Sequence, residues 1–430
     1  MNMKRTLLST LTALALALGG MAANAYAQTE LRMSWWGGNA RHQATLKALE
    51  KFHEKYPDIV VKGEYTGWDG HLSRLTTQIA GNTEPDVMQT NWNWLPIFSR
   101  DGGGFYDMNQ NKDALQVAQF PQQAINMTTV DGKINGLPVS MTSRVFYYNK
   151  DIWAKAGVGY PKTWDDLMKA GQAFQQNLGD GYYPLVIEAR DVFAMNRSLF
   201  IQKHGKDIIS HDTNLLAFSD KEMTEFFQLY VDQVKNHVFP STKEFASYGK
   251  GNLYEMRPWI DGRFGGLYMW DTAVEKYADN LQPPMSLELG PYPMENNAVE
   301  AGLLARPSMM FSIGRNTKHP QEAAKLVNFL LNDPDGIEAL GLTRGIPMSQ
   351  SGLSTLQQSG HIDPSSLSFL GYEQAKALPQ KIMPTTYTDN AQLMELFSEE
   401  MQHLDYGQSS VEEAAKNFLR RGNRVLKRMN

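Results

Sequence analysis

The sequence predicts an α/β protein that folds as two domains or lobes. Strand-like and helix-like segments alternate along the first part of the chain, an order that indicates a parallel sheet covered by helices. The chain has 430 residues, which is more than one hydrophobic core ordinarily organises. Apolar residues make up 42% of it and charged residues 20%. This balance is typical of a folded globular protein rather than a disordered one.

Residues 1–27 have the features of a cleavable export signal. Lys4 and Arg5 precede an apolar stretch over residues 7–18, and small residues follow up to Ala27. An apolar stretch of about 12 residues is too short to cross a bilayer core of about 30 Å as a helix. We therefore expect cleavage after Ala27 and a mature protein in the periplasm. An uncleaved membrane anchor is the alternative.

The mature chain is predicted to open with a strand, a helix and a second strand. Leu31, Met33 and Trp35 alternate with polar residues, as on one face of a strand. A helix is expected over residues 41–56, because apolar residues recur at helical spacing before Pro57. A strand over residues 59–65 follows. A helix over 71–79 and a short strand over 86–89 complete this part. In such sheets, ligands bind at the carboxyl ends of the strands.

Helices are predicted to dominate the rest of the chain. Pro320 is expected to begin one of them. Short strands are predicted at residues 137–139 and 185–187. Three pairs have the spacing of a helix N-cap and an acidic third helical residue: Thr163 and Asp166, Ser219 and Glu222, and Ser410 and Glu413.

The composition excludes several classes of function. The chain has no cysteine, which excludes disulfides, thiol nucleophiles and iron–sulfur clusters. Its formal net charge of −5 argues against binding to nucleic acid. The nine histidines show no metal-binding spacing, and no G-x-S-x-G motif is present. We therefore expect a protein that is not an enzyme and that holds no metal or cofactor.

Tryptophan residues are concentrated at the ends of the predicted strands. The residues concerned are Trp35, Trp36, Trp68, Trp92, Trp94 and Trp270. An indole presents a flat apolar face to the C–H side of a sugar ring, while its N–H can still donate. Ordinary core packing is the alternative for any one of them. Several at one edge of a sheet favour a sugar-binding site.

Arginine residues accompany these tryptophans. Arg41 follows Trp36-Gly-Gly, and Arg144, Arg190 and Arg306 follow predicted or apolar strand segments. A guanidinium grips a carboxylate through two parallel hydrogen bonds, so these residues favour an acidic ligand. A surface arginine or a structural ion pair is the alternative for each. Arg144 and Arg306 are the first candidates for a carboxylate clamp.

Three stretches of the chain resemble the extracellular sugar-binding proteins of ABC importers, of the family 1 type. The middle one, YNKDIWAKAG at 148–157 running into 161–167, is the most specific. The others are residues 35–42 with 67–70 and 85–89, and residues 329–336 with 343–347. The chain resembles in particular the oligogalacturonide-binding members found in pectin-degrading enterobacteria.

The resemblance implies a two-lobe periplasmic-binding-protein fold with the ligand in a cleft at a hinge of several crossing segments. Residues 28–139 and 301–345 would form one lobe. Residues 140–300 and 346–430 would form the other. Closure of the lobes over the ligand is the hinge motion that such proteins use.

The resemblance also implies roles for individual residues. Trp36, Trp68, Trp92 and Trp270 match positions where the family places sugar-facing aromatic rings. Asn91 stands where many relatives carry an aspartate, and an amide there removes a negative charge from the cleft. Asp271 is expected to accept a hydrogen bond from a sugar hydroxyl or to orient an arginine.

The expected function is that of a monomeric periplasmic receptor. It would capture acidic oligosaccharides, namely oligogalacturonides, and deliver them to an ABC permease in the inner membrane. A receptor of the same fold for neutral sugars or polyols is one alternative. A secreted polysaccharide lyase or glycosidase is the other, because the catalytic acids of such enzymes carry no short sequence motif.

Overall fold

The computed structural model of the protein describes residues 28–249 and 251–429. The expected signal peptide, residues 1–27, lies outside the described residues. In the described part, nine strands are present: β1 (Thr29–Trp36), β2 (Ile59–Thr66), β3 (Val87–Thr90), β4 (Thr129–Val130), β5 (Lys133–Ile134), β6 (Leu137–Asn149), β7 (Gly266–Trp270), β8 (Leu287–Leu289) and β9 (Ala305–Ile313).

Seventeen α-helices accompany these strands in the same part of the chain. They are α1 (Asn39–Lys55), α2 (His71–Ala80), α3 (Leu95–Phe98), α4 (Gln122–Met127), α5 (Lys150–Ala156), α6 (Trp164–Leu178), α7 (Ala189–His204), α8 (Asp220–Lys235), α9 (Thr242–Ser247), α10 (Arg257–Ile260), α11 (Glu275–Ala278), α12 (Pro320–Asn332), α13 (Pro334–Leu340), α14 (Gln350–Gln358), α15 (Leu367–Ala377), α16 (Ala391–Asp405) and α17 (Val411–Met429). Within the described ranges, no helix is both long enough and apolar enough to cross a membrane.

The α/β fold class is confirmed, and the elements predicted by local signals are present. The alternation at the start of the mature chain appears as β1, α1, β2, α2 and β3. Helix α6 begins with a reciprocal capping box between Thr163 and Asp166. Helix α8 begins with another between Ser219 and Glu222. Pro320 begins α12, as expected.

The sheet is mixed rather than parallel, which corrects the sequence prediction. Its strand order is β2-β1-β3-β9-β6-β7, and β8 pairs with β6. Strand β1 runs parallel to β2 and β3. However, β9 is antiparallel to both β3 and β6, and β7 and β8 are antiparallel to β6. Within this sheet, only the first three strands are joined by single crossover helices, α1 and α2, and only their pairs are parallel.

Two short predicted strands also differ from the structure. Residues 137–139 are the beginning of the 13-residue β6, so Arg144 lies inside this strand rather than after it. Arg306 likewise lies inside β9. Residues 185–187 form no strand. The N–H of Leu185 donates to the carbonyl of Val238 and that of Val186 to the carbonyl of Gly266. Because these bonds go to different segments, no ladder forms.

Two large hydrophobic cores lie on either side of the central strands. The first contains buried residues of β1, β3, α1 and α12. The second contains residues of α5 to α8, α16 and α17. Leu137 and Val139 of β6 belong to the first core, whereas Val145 to Tyr148 of the same strand belong to the second. Strands β6 and β9 therefore connect the two cores.

The cores bear on the proposed lobe boundaries. The sequence assigned residues 301–345 to the first lobe, but Ala301, Leu303, Leu304 and Ala305 pack in the second core. Met309 is the next residue along β9 that belongs to the first core. We therefore propose that the chain crosses between lobes on β9 between Ala305 and Met309. The other boundaries stay predictions.

We predict that Phe397→Ala destabilises the second core. The Phe397 ring lies 5.2 Å from that of Phe193, 5.3 Å from Phe227 and 5.8 Å from Phe418, measured between centroids. Its removal leaves a cavity that costs about 3–5 kcal/mol of unfolding free energy. Urea unfolding followed by circular dichroism measures the loss. The control is Leu370→Ala, since 39% of Leu370 is exposed. Equal losses in the two variants would contradict the prediction.

Candidate ligand-binding site

Three indole rings cluster at the carboxyl ends of β1, β2 and β3. Trp36 ends β1, Trp68 follows β2, and Trp94 lies in the short 3-10 turn after β3. The Trp36 centroid is 5.3 Å from those of both Trp68 and Trp94, and Trp68 stacks on Trp94 at 5.6 Å. The cluster forms because parallel neighbouring strands end at the same edge of the sheet. Trp68 is 53% exposed, while Trp36 and Trp94 are buried.

His71 closes the buried side of this aromatic cluster. Its ring centroid lies 5.2 Å from that of Trp36 and 6.2 Å from that of Trp94. Burial lowers the pKa of His71 to about 4, and the positive charge of Arg74 acts in the same direction. His71 is therefore neutral at neutral pH, so the cluster presents a neutral, aromatic surface to a ligand.

Arg41 lies beside the aromatic cluster, in the first turn of α1. Its Nε donates to the carbonyl of Thr343 at 3.0 Å, and its Nη1 donates to the carbonyl of Trp36 at 3.2 Å. Together with Trp68, it lines a cavity of about 480 Å³. A Cβ at Gly37 would lie 2.5 Å from Cδ of Arg41. The glycine therefore allows the arginine side chain to fold against the loop.

Trp92 and Asn91 occupy a different place. Trp92 is buried, and its Nε1 donates to the carbonyl of Met127 at 2.8 Å. It borders a cavity of about 810 Å³ whose other walls include residues 211–214, 381 and 383–387. The Asn91 Oδ1 accepts from the N–H of Asn93 at 3.4 Å and caps the 3-10 turn. Trp94, rather than Trp92, packs against Trp36.

In the second half of the site, two arginines flank one tryptophan. The Trp270 ring centroid lies 4.6 Å from Cζ of Arg144 and 4.8 Å from Cζ of Arg306. Arg144 is aligned with Trp270 in the β6–β7 pair, and Thr142 with Arg306 in the β6–β9 pair. This alignment explains why the three side chains meet. A guanidinium near an aromatic face is attracted by the negative charge of the ring face.

Each of these two arginines already has a carboxylate partner within the protein. Arg144 is buried and forms an ion pair with Asp191. Arg306 is partly buried, and its Nε donates to Oδ2 of Asp389 at 2.7 Å. Asp191 and Asp389 are carboxylates that sequence reasoning missed. The structural ion pair that the sequence left open as an alternative is thus present at both positions.

In the described structure, neither Asp271 nor Arg190 forms a hydrogen bond or an ion pair with Arg144 or Arg306. Asp271 is buried, and its Oδ1 accepts from Oγ1 of Thr142 at 2.8 Å and from the N–H of Thr272 at 2.7 Å. Burial raises the pKa of Asp271 to about 7. Arg190 is exposed in the first turn of α7 and lines a cavity of about 480 Å³ with Tyr230 and Pro240. In this structure the carboxylate of Asp271 thus accepts hydrogen bonds from threonine residues rather than from an arginine.

The sheet register determines which side chains share a face within each half of the site. Side chains alternate between the two faces of a strand, and aligned residues of neighbouring strands point to the same face. Ser34 aligns with Met88, and Thr90 aligns with Met310. Trp36 lies two residues after Ser34, so it shares its face.

In β9, Arg306 and Ser308 are partly exposed, while Ala305 and Pro307 are buried. The β6–β9 pairing shifts register twice between Pro138 and Met141, so alternation does not carry a face from Met310 to Arg306. Beyond these shifts, Thr142 aligns with Arg306 and Arg144 aligns with Trp270. The register therefore places Arg306, Arg144 and Trp270 on one face, and Trp36 belongs to the other half of the site.

Comparison with known proteins identifies related sequences and structures. A family model described as bacterial extracellular solute-binding protein matches residues 38–337. This chain is 54% identical to a periplasmic oligogalacturonide binding protein from Yersinia enterocolitica. The match covers 93% of this chain and 100% of that one, with a TM-score of 0.89. Against a complex of such a protein with saturated digalacturonic acid, identity is 54%, coverage is 93% and 99%, and the TM-score is 0.81.

Two further structures are similar over nearly the whole chain. A periplasmic solute binding protein from Pectobacterium atrosepticum is 46% identical over 93% of this chain and 99% of its own, with a TM-score of 0.86. A de novo designed cysteine esterase is 53% identical over 94% of this chain and 100% of its own, with a TM-score of 0.92. The present chain contains no cysteine.

We predict that Asp271→Asn changes the pH dependence of stability. The folded protein favours the protonated carboxyl, since burial raises its pKa from 3.8 to about 7. The folded state therefore binds more protons than the unfolded state between these values. Consequently, the contribution of the Asp271 carboxyl to the free energy of unfolding is fully present below about pH 4 and is lost as the pH rises through 7. The amide keeps an oxygen at Oδ1 and does not ionise.

Relative to the unmodified protein, the unfolding free energy of Asp271→Asn should therefore increase as the pH rises from 5 to 8. Urea unfolding at intervals of one pH unit measures this difference. Asp58→Asn, at an exposed position, is the control. Parallel profiles for Asp271→Asn and the unmodified protein would show that the carboxyl does not titrate in this range.

Proposed function

The chain belongs to the bacterial extracellular solute-binding protein family, and we propose that it captures acidic oligosaccharides, namely oligogalacturonides, for uptake through an ABC transporter. The observation that carries this proposal is Trp270 between the guanidinium groups of Arg144 and Arg306. The aromatic cluster of Trp36, Trp68 and Trp94 offers a second surface on which a sugar ring can stack. The 54% identity to the Yersinia oligogalacturonide binding protein supports the choice of ligand.

The chemistry of a galacturonate unit suits this arrangement. Its ring offers C–H groups to an indole, which presents a large flat apolar face. Its carboxylate can accept from a guanidinium, which has five N–H donors. The carboxylate partner of Arg306 within the protein binds at Nε. A ligand carboxylate can therefore approach the other N–H groups of the same arginine without displacing Asp389.

Ligand capture is proposed to close the two lobes about β6 and β9. Strands β6 and β9 support this proposal, because each contributes residues to both hydrophobic cores. Only contacts that favour the closed form shift such an equilibrium. The closed form would then be recognised by a permease in the inner membrane.

Export is part of the proposal. Residues 1–27 have the sequence of a cleavable signal, and the family consists of extracellular solute-binding proteins. We propose that the mature chain begins at Gln28 and acts as a monomer in the periplasm, in the uptake of products of pectin degradation. Its role there is to bind a ligand rather than to transform it.

A receptor for neutral sugars is a second candidate, and a specific observation favours it. Asp191 and Asp389 compensate the charges of Arg144 and Arg306. If these pairs stay intact when a ligand binds, the arginines serve only to hold Trp270. A neutral sugar would then suit the aromatic surfaces equally well.

We predict that the protein binds digalacturonic acid and discriminates against maltose. The acidic disaccharide gains charge-assisted hydrogen bonds that each contribute about 1.5–3 kcal/mol, against about 1 kcal/mol for a neutral one. Two such bonds correspond to a difference in Kd of about fivefold to about a thousandfold. Isothermal titration calorimetry with the two ligands measures it. Equal affinities would support the neutral-sugar receptor.

Trp68→Ala is predicted to weaken digalacturonic acid binding about tenfold. Trp68 is the exposed indole of the aromatic cluster, with 53% of its surface accessible, and stacking provides the lost free energy. Tyr406 is also 53% exposed, so Tyr406→Ala is a matched control that should bind normally. An unchanged Kd for Trp68→Ala would remove this indole from the site.

A further inference from the structure

We propose that Arg41 and Arg344 give the site its preference for anionic ligands, with Arg41 contacting a ligand carboxylate beside Trp68 and Arg344 adding a buried positive charge behind it. This inference rests on the proposed function and refines it. It adds a second pair of arginines to Arg144 and Arg306 as a source of selectivity for uronates. Arg344 is a residue that sequence reasoning did not assign to the site.

The two pairs of arginines differ in their counterions. Arg144 and Arg306 each have a carboxylate within ion-pair distance. In contrast, the hydrogen bonds of Arg41 go to the backbone carbonyls of Thr343 and Trp36. Those of Arg344 go to neutral side chains. A ligand carboxylate near Arg41 and Arg344 would therefore meet positive charge that forms no ion pair with an aspartate or glutamate among residues 28–249 and 251–429.

Arg344 is a buried cation with an incomplete set of partners. Only 4% of the residue is exposed. Its Nε donates to Oε1 of Gln89 at 2.8 Å, and its Nη2 donates to Oγ1 of Thr45 at 2.9 Å. Its Nη1 is buried without a hydrogen-bond partner in the described structure. Burial of a cation without a counterion costs several kcal/mol, and a bound anion nearby offsets part of that cost.

Arg41 and Arg344 are close enough for the positive charge of one to act on the other. Burial holds the pKa of Arg344 well below its usual value, and the charge of Arg41 lowers it further. Burial also lowers the pKa of Arg41. His42 lies in the same field, because its pKa is lowered by burial and then by Arg344 and Arg41. Such mutual repulsion is what a carboxylate would relieve.

The cavity next to Arg41 has space and chemistry for a uronate. It measures about 480 Å³, and Arg41 is the one charged residue among those that line it: Gly37, Gly38, Ala40, Arg41, Trp68 and Thr343. The first turn of α1 holds no acidic residue, and Gly38 at its N-cap provides no side-chain cap. A sugar ring stacked on the exposed face of Trp68 would bring its carboxylate towards the Arg41 guanidinium.

Arg344 also connects this cavity with the strands between the two cores. Its carbonyl accepts from Oγ of Ser140 at 2.6 Å, and Ser140 lies at the irregularity in β6. Gln89, which binds its guanidinium, donates to the carbonyl of Trp36 at 3.2 Å. Arg344 thus lies between β6 and the aromatic cluster and acts as a positioning residue. Arg41 is the residue proposed to contact the ligand carboxylate.

The test compares an acidic ligand with a neutral one of the same shape. The ligands are saturated digalacturonic acid and its dimethyl ester, titrated by calorimetry into the full mature protein. The variants are Arg41→Met, Arg344→Met and Arg344→Lys. Arg315→Met is the control, because Arg315 is exposed and donates to Asn82 rather than to a group of the site.

We expect Arg41→Met and Arg344→Met each to weaken the acid about 10- to 100-fold and the ester less than threefold. Arg344→Lys retains the charge and should restore most of the preference for the acid. Arg315→Met should behave as the unmodified protein. Equal losses for acid and ester would assign Arg41 and Arg344 a purely structural role and overturn the inference, as would unchanged binding of the acid.

The outcomes separate this inference from the proposed function. If the unmodified protein binds neither ligand, or binds both equally, the proposed uronate receptor itself is wrong. If it prefers the acid and the Arg41 variant keeps that preference, only the inference is wrong. Thermal unfolding of each variant checks its folding. If Arg344→Met does not fold, the affinities of Arg41→Met and Arg344→Lys for the acid and the ester test the inference.

Discussion

The pairing of β6 with β9 is the constraint on which the rest of the structure depends. These two strands contribute residues to both hydrophobic cores, so they set the position of one half of the molecule relative to the other. Their register also aligns Thr142 with Arg306, and the next pair of strands aligns Arg144 with Trp270. Side chains alternate between faces in the regular part of this pairing, so a slip of one residue there would turn these side chains to the opposite face.

Electrostatics divides the site into two chemically different halves. Beside Trp270, positive and negative charges occur in pairs, and the pairs hold the indole between two planar cations. Beside Trp36, the arginines have only neutral partners. A buried pair is close to neutral in its effect on stability, whereas an unpaired buried cation is unfavourable until an anion arrives. The unpaired positive charges of Arg41 and Arg344 therefore lie in the half of the site that contains the exposed Trp68.

The parts of the fold governed by local signals could be predicted from sequence. The first five elements and the capping boxes of α6 and α8 follow from spacing and composition alone. The mixed sheet could not be predicted in this way, because β9 joins β3 through pairing between residues far apart in sequence. Trp92 and Trp94 show a similar limit. Both follow β3, but the turn between them directs one to the carbonyl of Met127 and the other to Trp36.

The arginines show the same limit in the site. Their positions near sugar-binding tryptophans could be read from the sequence, but their counterions could not. Asp191 lies 47 residues from Arg144 and Asp389 lies 83 residues from Arg306. Arg344 carries no local signal that distinguishes it from a surface arginine. Its importance depends on burial and on the absence of a carboxylate among its hydrogen-bond partners in the described structure.

The late position of β9 in the chain has a consequence for how the molecule assembles. Val87 of β3 pairs with Ile313 of β9, so the first core stays unfinished until more than two hundred further residues have been synthesised. Contacts between such distant segments slow folding, since a long loop must close before they form. Until β9 joins, the edge of β3 that β9 covers in the folded protein has unpaired backbone groups, which are a template for wrong strand pairing.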